Sequence, residues 1–174
     1  MKVLVELSDI TGETAHMSVL SDNILSSIAN SYSTAHGTMV MMEDAEILDL
    51  HATGSGLAVL AFSPTGFVDK VLSGPLSART IRTETNPDTI RAQLPEIRAR
   101  GYASSLGGFE EDVHSFAIPV FDATTACVGA VAIATPVARM TDALRDLILA
   151  ELLARTCHLT HLLGGFTHST FPTL

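Results

Sequence analysis

The sequence predicts an α+β domain, and three observations carry that prediction. Segments with the period-two alternation of antiparallel hairpins occur both early and late in the chain, segments of helical period lie before, between and after them, and turn residues punctuate the joins. At 174 residues with 47% apolar and 17% charged content, the chain has the length and composition of one globular domain spanning 1–174.

Val3–Ile10 reads as a short amphipathic helix stopped at Thr11-Gly12. Glu13–Leu20 and Ile24–Asn30 read as two strands joined by a hairpin turn at Ser21-Asp22-Asn23. Gly37–Met42 is a third strand candidate. The period changes at Thr53, a good N-cap, after which Leu57, Leu60 and Ala61 recur at helical spacing until Pro64. Phe67–Leu72 makes another short helix and Ser73–Thr85 a loop. Asn86-Pro87-Asp88 combines a capping side chain, a first-turn proline and an acid at the positive helix end. The helix it opens buries Ile90, Leu94 and Ile97 and exits at Gly101, with a kink or 3₁₀ turn expected at Pro95. Val113–Val120 and Cys127–Ala134 are strands flanking a hairpin-like connection. Thr141–Leu163 is the longest helix, with Leu144, Ile148, Leu152, Leu159 and Leu163 on one side. The tail 166–174 is expected to fray.

Charge excludes one class of function. Ten basic against nineteen acidic residues give a net charge of -9, so phosphate attraction is absent and the chain is not expected to bind nucleic acid by itself. The apolar runs fall far short of a membrane span and the N-terminus lacks a signal-peptide core, so a cytoplasmic protein without membrane partners is expected. Cys127 and Cys157 lie 30 residues apart without a Cys-x-x-Cys pairing and suit a reducing compartment.

Two places could receive a ligand. At Thr53-Gly54-Ser55-Gly56 a helix N-terminus presents free N–H groups, and its glycines permit close approach by a carboxylate or phosphate. The plainer alternative is a cap with tight helix packing. Along Val128–Ala134 one strand face carries Val128, Ala130, Ala132 and Ala134, and Ser115 and Ala117 share a face on the neighbouring strand. So small a face either admits a closely packed helix or leaves a pocket.

Two segments in this order, His51-Ala-Thr-Gly-Ser-Gly-Leu-Ala-Val-Leu-Ala61 and then Ile97-Arg-Ala-Arg-Gly-Tyr-Ala103 with Phe116-Ala-Ile-Pro-Val-Phe-Asp122, resemble the effector-sensing domain of the IclR family of bacterial transcription regulators. The resemblance covers nearly the whole chain, from Val3 to Gly165. It implies a GAF-like fold, a curved antiparallel sheet of about six strands with helices packed on it, with residues 1–11 as the end of a linker helix and the winged helix-turn-helix domain absent from this chain. It also implies a small organic acid effector, held by the backbone at Gly54 and Ser55 and faced by Ser105, Ser115, Ala132 and Ala134. Met39, Val40 and Leu48, with Met41 and Met42, would form the opposite wall; a methionine cluster suits a variable ligand, though core packing explains each methionine as well. Assembly as a homodimer or tetramer follows from the same resemblance, with Leu4, Leu7 and the late helix as interface candidates. The family usually has a lysine where this chain has Leu57, and an acid near Ser105.

No cofactor is expected. His158 and His161 have zinc-compatible spacing but sit on a polar helix face beside Glu151 and Arg155, which favours a solvated surface. His51 is expected to hold its loop. The rival reading is enzymatic: Cys127 with His114 on the adjacent strand would be a nucleophile and base, as in the GAF-fold enzyme that reduces free methionine sulfoxide, with Cys157 as a poorly placed resolving thiol.

Overall fold

The computed structural model of the chain describes residues 2–43 and 45–172; Met1, Asp44, Thr173 and Leu174 lie outside them. Helix α1 (Lys2–Thr11) leads into β1 (Thr14–Ser21) and β2 (Ile24–Ser31). After a long irregular segment come helices α2 (Gly54–Ala61), α3 (Thr65–Leu72) and α4 (Pro87–Arg100). Strands β3 (Ala103–Leu106), β4 (Val113–Phe121) and β5 (Cys127–Pro136) follow, then a 3₁₀ turn (Val137–Arg139) and α5 (Asp142–Leu162). The strands form one antiparallel sheet in the order β2-β1-β5-β4-β3.

Local chemistry explains most of these boundaries. Asp22 and Asn23 both take positive φ, as the tight β1–β2 turn requires of its central residues. The side chains of Thr53, Asn86 and Thr141 cap α2, α4 and α5 by accepting first-turn N–H groups. Gly101 ends α4 in the left-handed region at φ 79°. Pro119 lies inside β4, yet β3 pairs with β4 only from His114 to Ala117, so the missing N–H falls where no third strand asks for it.

The sheet has two different faces. On one, Ala15 and Met17 of β1, Ile133 and Val131 of β5, and Phe116, Ile118 and Val120 of β4 make a bulky apolar surface, over which α1 and α5 pack. On the other, Thr14, His16 and Ser18 stand beside Ala134, Ala132 and Ala130, then Ser115 and Ala117, then Ser105 and Ala103. Only small or polar side chains occupy this face near its centre, and α2 lies on it with all eight of its residues buried. Gly56 packs so closely that a Cβ there would come within 2.4 Å of the Leu50 Cα, and one on Gly54 within 2.8 Å of the Ser115 hydroxyl.

Several expectations are corrected. The sheet has five strands because Gly37–Met42 does not join it. Side chains take the backbone groups that a ladder would have used: the Thr14 hydroxyl donates to the Val40 carbonyl at 2.7 Å, and the Tyr32 hydroxyl bridges the N–H and carbonyl of Met42. In its place β3 is a strand that alternation did not reveal, since four residues give too short a pattern. Helix α4 runs as α-helix through Pro95 without a 3₁₀ turn. The buried stripe of α5 is Ile148, Leu152, Thr156 and Thr160, while Leu163 is exposed and Leu144 and Leu159 are half-buried. Two threonines thus hold positions that hydropathy alone gives to leucines. The tail packs back through residue 172: Phe171 is buried, with its ring 5.8 Å from Phe62 and 5.7 Å from Phe121. Leu4 and Leu7 are fully used in the α1 core contact.

The seating of α2 predicts a contrast between two glycines. Gly56→Ala drives a methyl group into the Leu50 backbone and is expected to cost about 3 kcal/mol. Gly66→Ala in α3, where no atom lies within 4 Å, is expected to add about 0.5–1 kcal/mol. Urea unfolding of the two variants checks both signs.

Candidate ligand-binding site

At the N-terminal end of α2 the helix does not fill the space above the sheet. A cavity remains between α2, the ends of β3, β4 and β5, the turn 107–112 and the side chains of Val40, Met42 and Leu48, with about 420 Å³ of space free of protein atoms when its open mouth and the solvent there are counted. Both readings of the small-residue face are therefore realised: α2 packs closely over Ala130, Ala132 and Ala117, and the space left beyond its first turn is the cavity.

Seven of the sequence-derived residues line it: Gly54, Ser55, Ser105, Ser115, Ala134, Val40 and Leu48. Met42 lines it too. Ala132 does not, because it lies two residues deeper along β5 and is fully buried. Met39 and Met41 are exposed and alternate with the inward-facing Val40 and Met42. Five further residues complete the lining: His16, Thr53, Phe109, Glu110 and Val113. His16 escaped sequence reading because Thr14, His16 and Ser18 alternate with apolar residues, a pattern that ordinarily marks a solvated strand face. Here that polar face is buried.

The hydrogen bonds at the helix start are nearly all committed. The Gly56 N–H donates to the Thr53 hydroxyl at 2.9 Å, the Leu57 N–H to the Thr53 carbonyl, and the Gly54 N–H to the Ser115 hydroxyl at 3.3 Å. Among the described residues the Ser55 N–H has no acceptor. The Ser105 hydroxyl gives its proton to the Ala52 carbonyl at 2.6 Å, so it offers the cavity only lone pairs. Ser115, having accepted from Gly54, keeps its own proton to donate.

His16 is buried against Ser55, with Nε2 3.2 Å from the Ser55 hydroxyl oxygen and Nδ1 without a partner. Burial alone pushes its pKa down to about 4, so the ring is neutral at physiological pH. An orphaned buried N–H costs more than an orphaned lone pair, which favours the tautomer with the proton on Nε2 and Ser55 as the acceptor. The Ser55 hydroxyl proton is then free, next to its own free N–H. Glu110, at the mouth, is raised in pKa by desolvation.

Elsewhere, the expected chemistry is not assembled. β4 pairs Cys127 with Phe121 and His114 with Thr135, seven residues apart along the strand, or about 23 Å at 3.3 Å per residue. Burial pushes the Cys127 thiol up to about 12, the opposite of an activated nucleophile. The His114 ring meets Ser104 at 2.9 Å. His158 and His161 are exposed on α5, where Glu151 pairs with Arg155. His51 does hold its loop, with Nε2–H donating to the Ser77 carbonyl at 3.0 Å. No helix among the described residues is long and apolar enough to cross a membrane.

Comparison with known proteins gives this arrangement its place. The family model for the bacterial transcriptional regulator IclR C-terminal domain matches residues 1–160. The Pca regulon regulatory protein of Pseudomonas putida is 29% identical over 164 residues, 93% of this chain and 56% of that protein. The glycerol operon regulatory protein of Streptomyces griseus is 32% identical over 78% of this chain and 52% of its own length. The chain thus spans little more than half of these relatives. A solved IclR-type regulator structure from Silicibacter sp. TM1040 is 49% identical with a TM-score of 0.97, covering 99% of this chain and 68% of that one. An IclR homologue from Microbacterium hydrocarbonoxydans, solved as a complex with 4-hydroxybenzoate, shares the fold at 21% identity and a TM-score of 0.78 over 92% of this chain and 66% of that one. The chain belongs to the IclR family of bacterial transcriptional regulators and corresponds to the family's C-terminal, effector-binding domain.

Proposed function

We propose that this chain senses a small organic carboxylate in the cavity at the start of α2, in the cytoplasm, and that occupancy shifts the arrangement of subunits in a homodimer or tetramer whose DNA-binding parts lie outside this sequence. One observation carries the reading: the free N–H and free hydroxyl of Ser55 stand together at the positive end of a helix, inside a cavity. A carboxylate oxygen accepting both, with Ser115 donating to its partner, would satisfy groups that the protein leaves open. The first-turn position supplies the favourable field, and Ala134, Val40, Leu48 and Met42 suit an apolar body. That a relative was solved with 4-hydroxybenzoate supports the ligand class. The mechanism is a population shift, so the acid must bind one subunit arrangement more tightly than the other. The net charge of -9 fits a chain that reads a metabolite and leaves DNA to other segments. The cysteine-enzyme alternative is disfavoured by the protonated thiol of Cys127 and its distance from His114.

A thermal-shift and calorimetric screen of small carboxylic acids against their carboxamides tests this. At least one acid is expected to bind, its amide to bind at least about tenfold more weakly, and Ser55→Ala to weaken the acid about tenfold, as the loss of one hydrogen bond to a charged group implies. Equal binding of acid and amide would overturn the carboxylate assignment. Dynamic light scattering with and without the acid tests the mechanism, and a strict monomer in both states would remove it.

The neutral ring of His16 gives a second test. Its pKa is about 4 when folded and about 6.5 when unfolded, so between these values the unfolded chain binds a proton that the folded chain refuses. Stability from this group is therefore complete above pH 6.5 and falls as the pH drops toward 4, by about 3 kcal/mol. In urea titrations from pH 7.5 to 4, the difference between wild type and His16→Asn should narrow by that amount, and a constant difference would show the ring to be protonated or solvated.

A further inference from the structure

The cavity has two chemically different ends. Ser55, at the start of α2, offers its N–H and its hydroxyl proton. Glu110, at the mouth, is the one charged side chain among the described lining residues, since neither lysine nor arginine reaches the cavity. Glu110 does not stand alone: Glu46 lies close enough for the two carboxyl groups to repel, and Glu46 Oε2 is buried without a hydrogen-bond partner among the described residues. The nearby cation, Arg79, is already held by Asp49 at 2.5 Å and lies over the Phe109 ring with its guanidinium carbon 5.2 Å from the centroid. Between these ends sits His16, buried and with Nδ1 unpartnered. An arrangement with free donors at one end and under-compensated acceptors at the other matches a ligand of the opposite polarity.

We infer that the effector is a monocarboxylate whose far end carries a hydrogen-bond donor, an ammonium or a hydroxyl group, which Glu110 receives with Glu46 behind it, and that the site rejects dicarboxylates. This rests on the reading of Ser55 as the carboxylate end. Two acids brought together at a partly desolvated mouth repel each other, and a donor between them relieves that repulsion while a second ligand carboxylate adds to it. Specificity therefore comes as much from the rejected class as from the accepted one. Glu110 would be the residue that chooses.

Two matched probe series read this directly by calorimetry: butanoate, 4-hydroxybutanoate, 4-aminobutanoate and succinate, and the aromatic set benzoate, 4-hydroxybenzoate, 4-(aminomethyl)benzoate and terephthalate. In the series that fits, the amino or hydroxy acid is expected to bind at least about tenfold tighter than the plain acid, and the dicarboxylate at least about tenfold weaker. Glu110→Gln should remove the preference for the ammonium probe. Glu110→Lys should invert the ranking so that the dicarboxylate binds best. Glu110 is exposed and outside the core, and unchanged urea midpoints for both variants would verify that they fold. If the plain acids bind through Ser55 but Glu110→Lys leaves the ranking untouched, this inference fails and the carboxylate site stands. If no member of either series binds, the carboxylate end is wrong and the assignment of Glu110 falls with it.

Discussion

Everything in this domain depends on how closely α2 can approach the sheet. The helix is buried on all sides, so it has no polar face to show to water, and it must find a surface flat enough to accept it at backbone distance. Alanine and serine on three adjacent strands make that surface, and Gly54 and Gly56 remove the side chains that would hold the helix away. Apolar burial along Leu57, Ala58, Val59, Leu60 and Ala61 then stabilises a helix of only eight residues, too short to persist alone. The Arg98 guanidinium, from α4, meets the Ala61 carbonyl and satisfies the other end.

The same geometry creates the cavity. A helix seated this deeply points its N-terminus at the sheet, and the sheet continues past it through Ala134, Ser115 and Ser105. Larger residues at those three places would fill the space, and a longer α2 would cover it. What closes the remaining side is an irregular segment held by side-chain hydrogen bonds at Thr14 and Tyr32, and by Arg139, which joins Thr38 to the buried carboxylate of Glu13 through bonds of 3.1, 2.8 and 2.7 Å. The wall is thereby tied to the junction of α1 and β1. Burying an ion pair of this kind is weak support for stability, but it fixes one arrangement of the wall over others.

Capping chemistry and the early hairpin were legible in the sequence because each rests on a local rule: Thr53, Asn86 and Thr141 at helix starts, Asp22-Asn23 in the turn, Gly101 at an exit. Eight of the residues lining the cavity, Val40, Met42, Leu48, Gly54, Ser55, Ser105, Ser115 and Ala134, were legible through family resemblance and the alternation of β4 and β5. What the sequence concealed was tertiary. His16 alternates like a solvated residue and is buried by a helix 38 residues away; Gly37–Met42 has strand composition, yet its backbone is claimed by side chains from elsewhere; Thr156 and Thr160 are buried where leucines nearby are not. Phe171 lies in a tail of loop composition and is held by Phe62 and Phe121, both distant in sequence. In each case local pattern misled because the partner that decides burial or pairing is distant in sequence.

The location of unsatisfied groups gives the last step. A stable domain pairs nearly all of its buried polar atoms, and each one left open costs about 1–3 kcal/mol. Here the Ser55 N–H, the His16 Nδ1 and the Glu46 Oε2 are left open around one cavity and its mouth. Two further buried side-chain atoms without hydrogen-bond partners among the described residues, Arg155 Nε and Thr156 Oγ1, lie on α5 away from the cavity, where they have no such role. Those at the cavity differ in that a ligand of matching polarity would satisfy them on entry. A domain that instead filled this space with leucine would be more stable and would have nothing to sense.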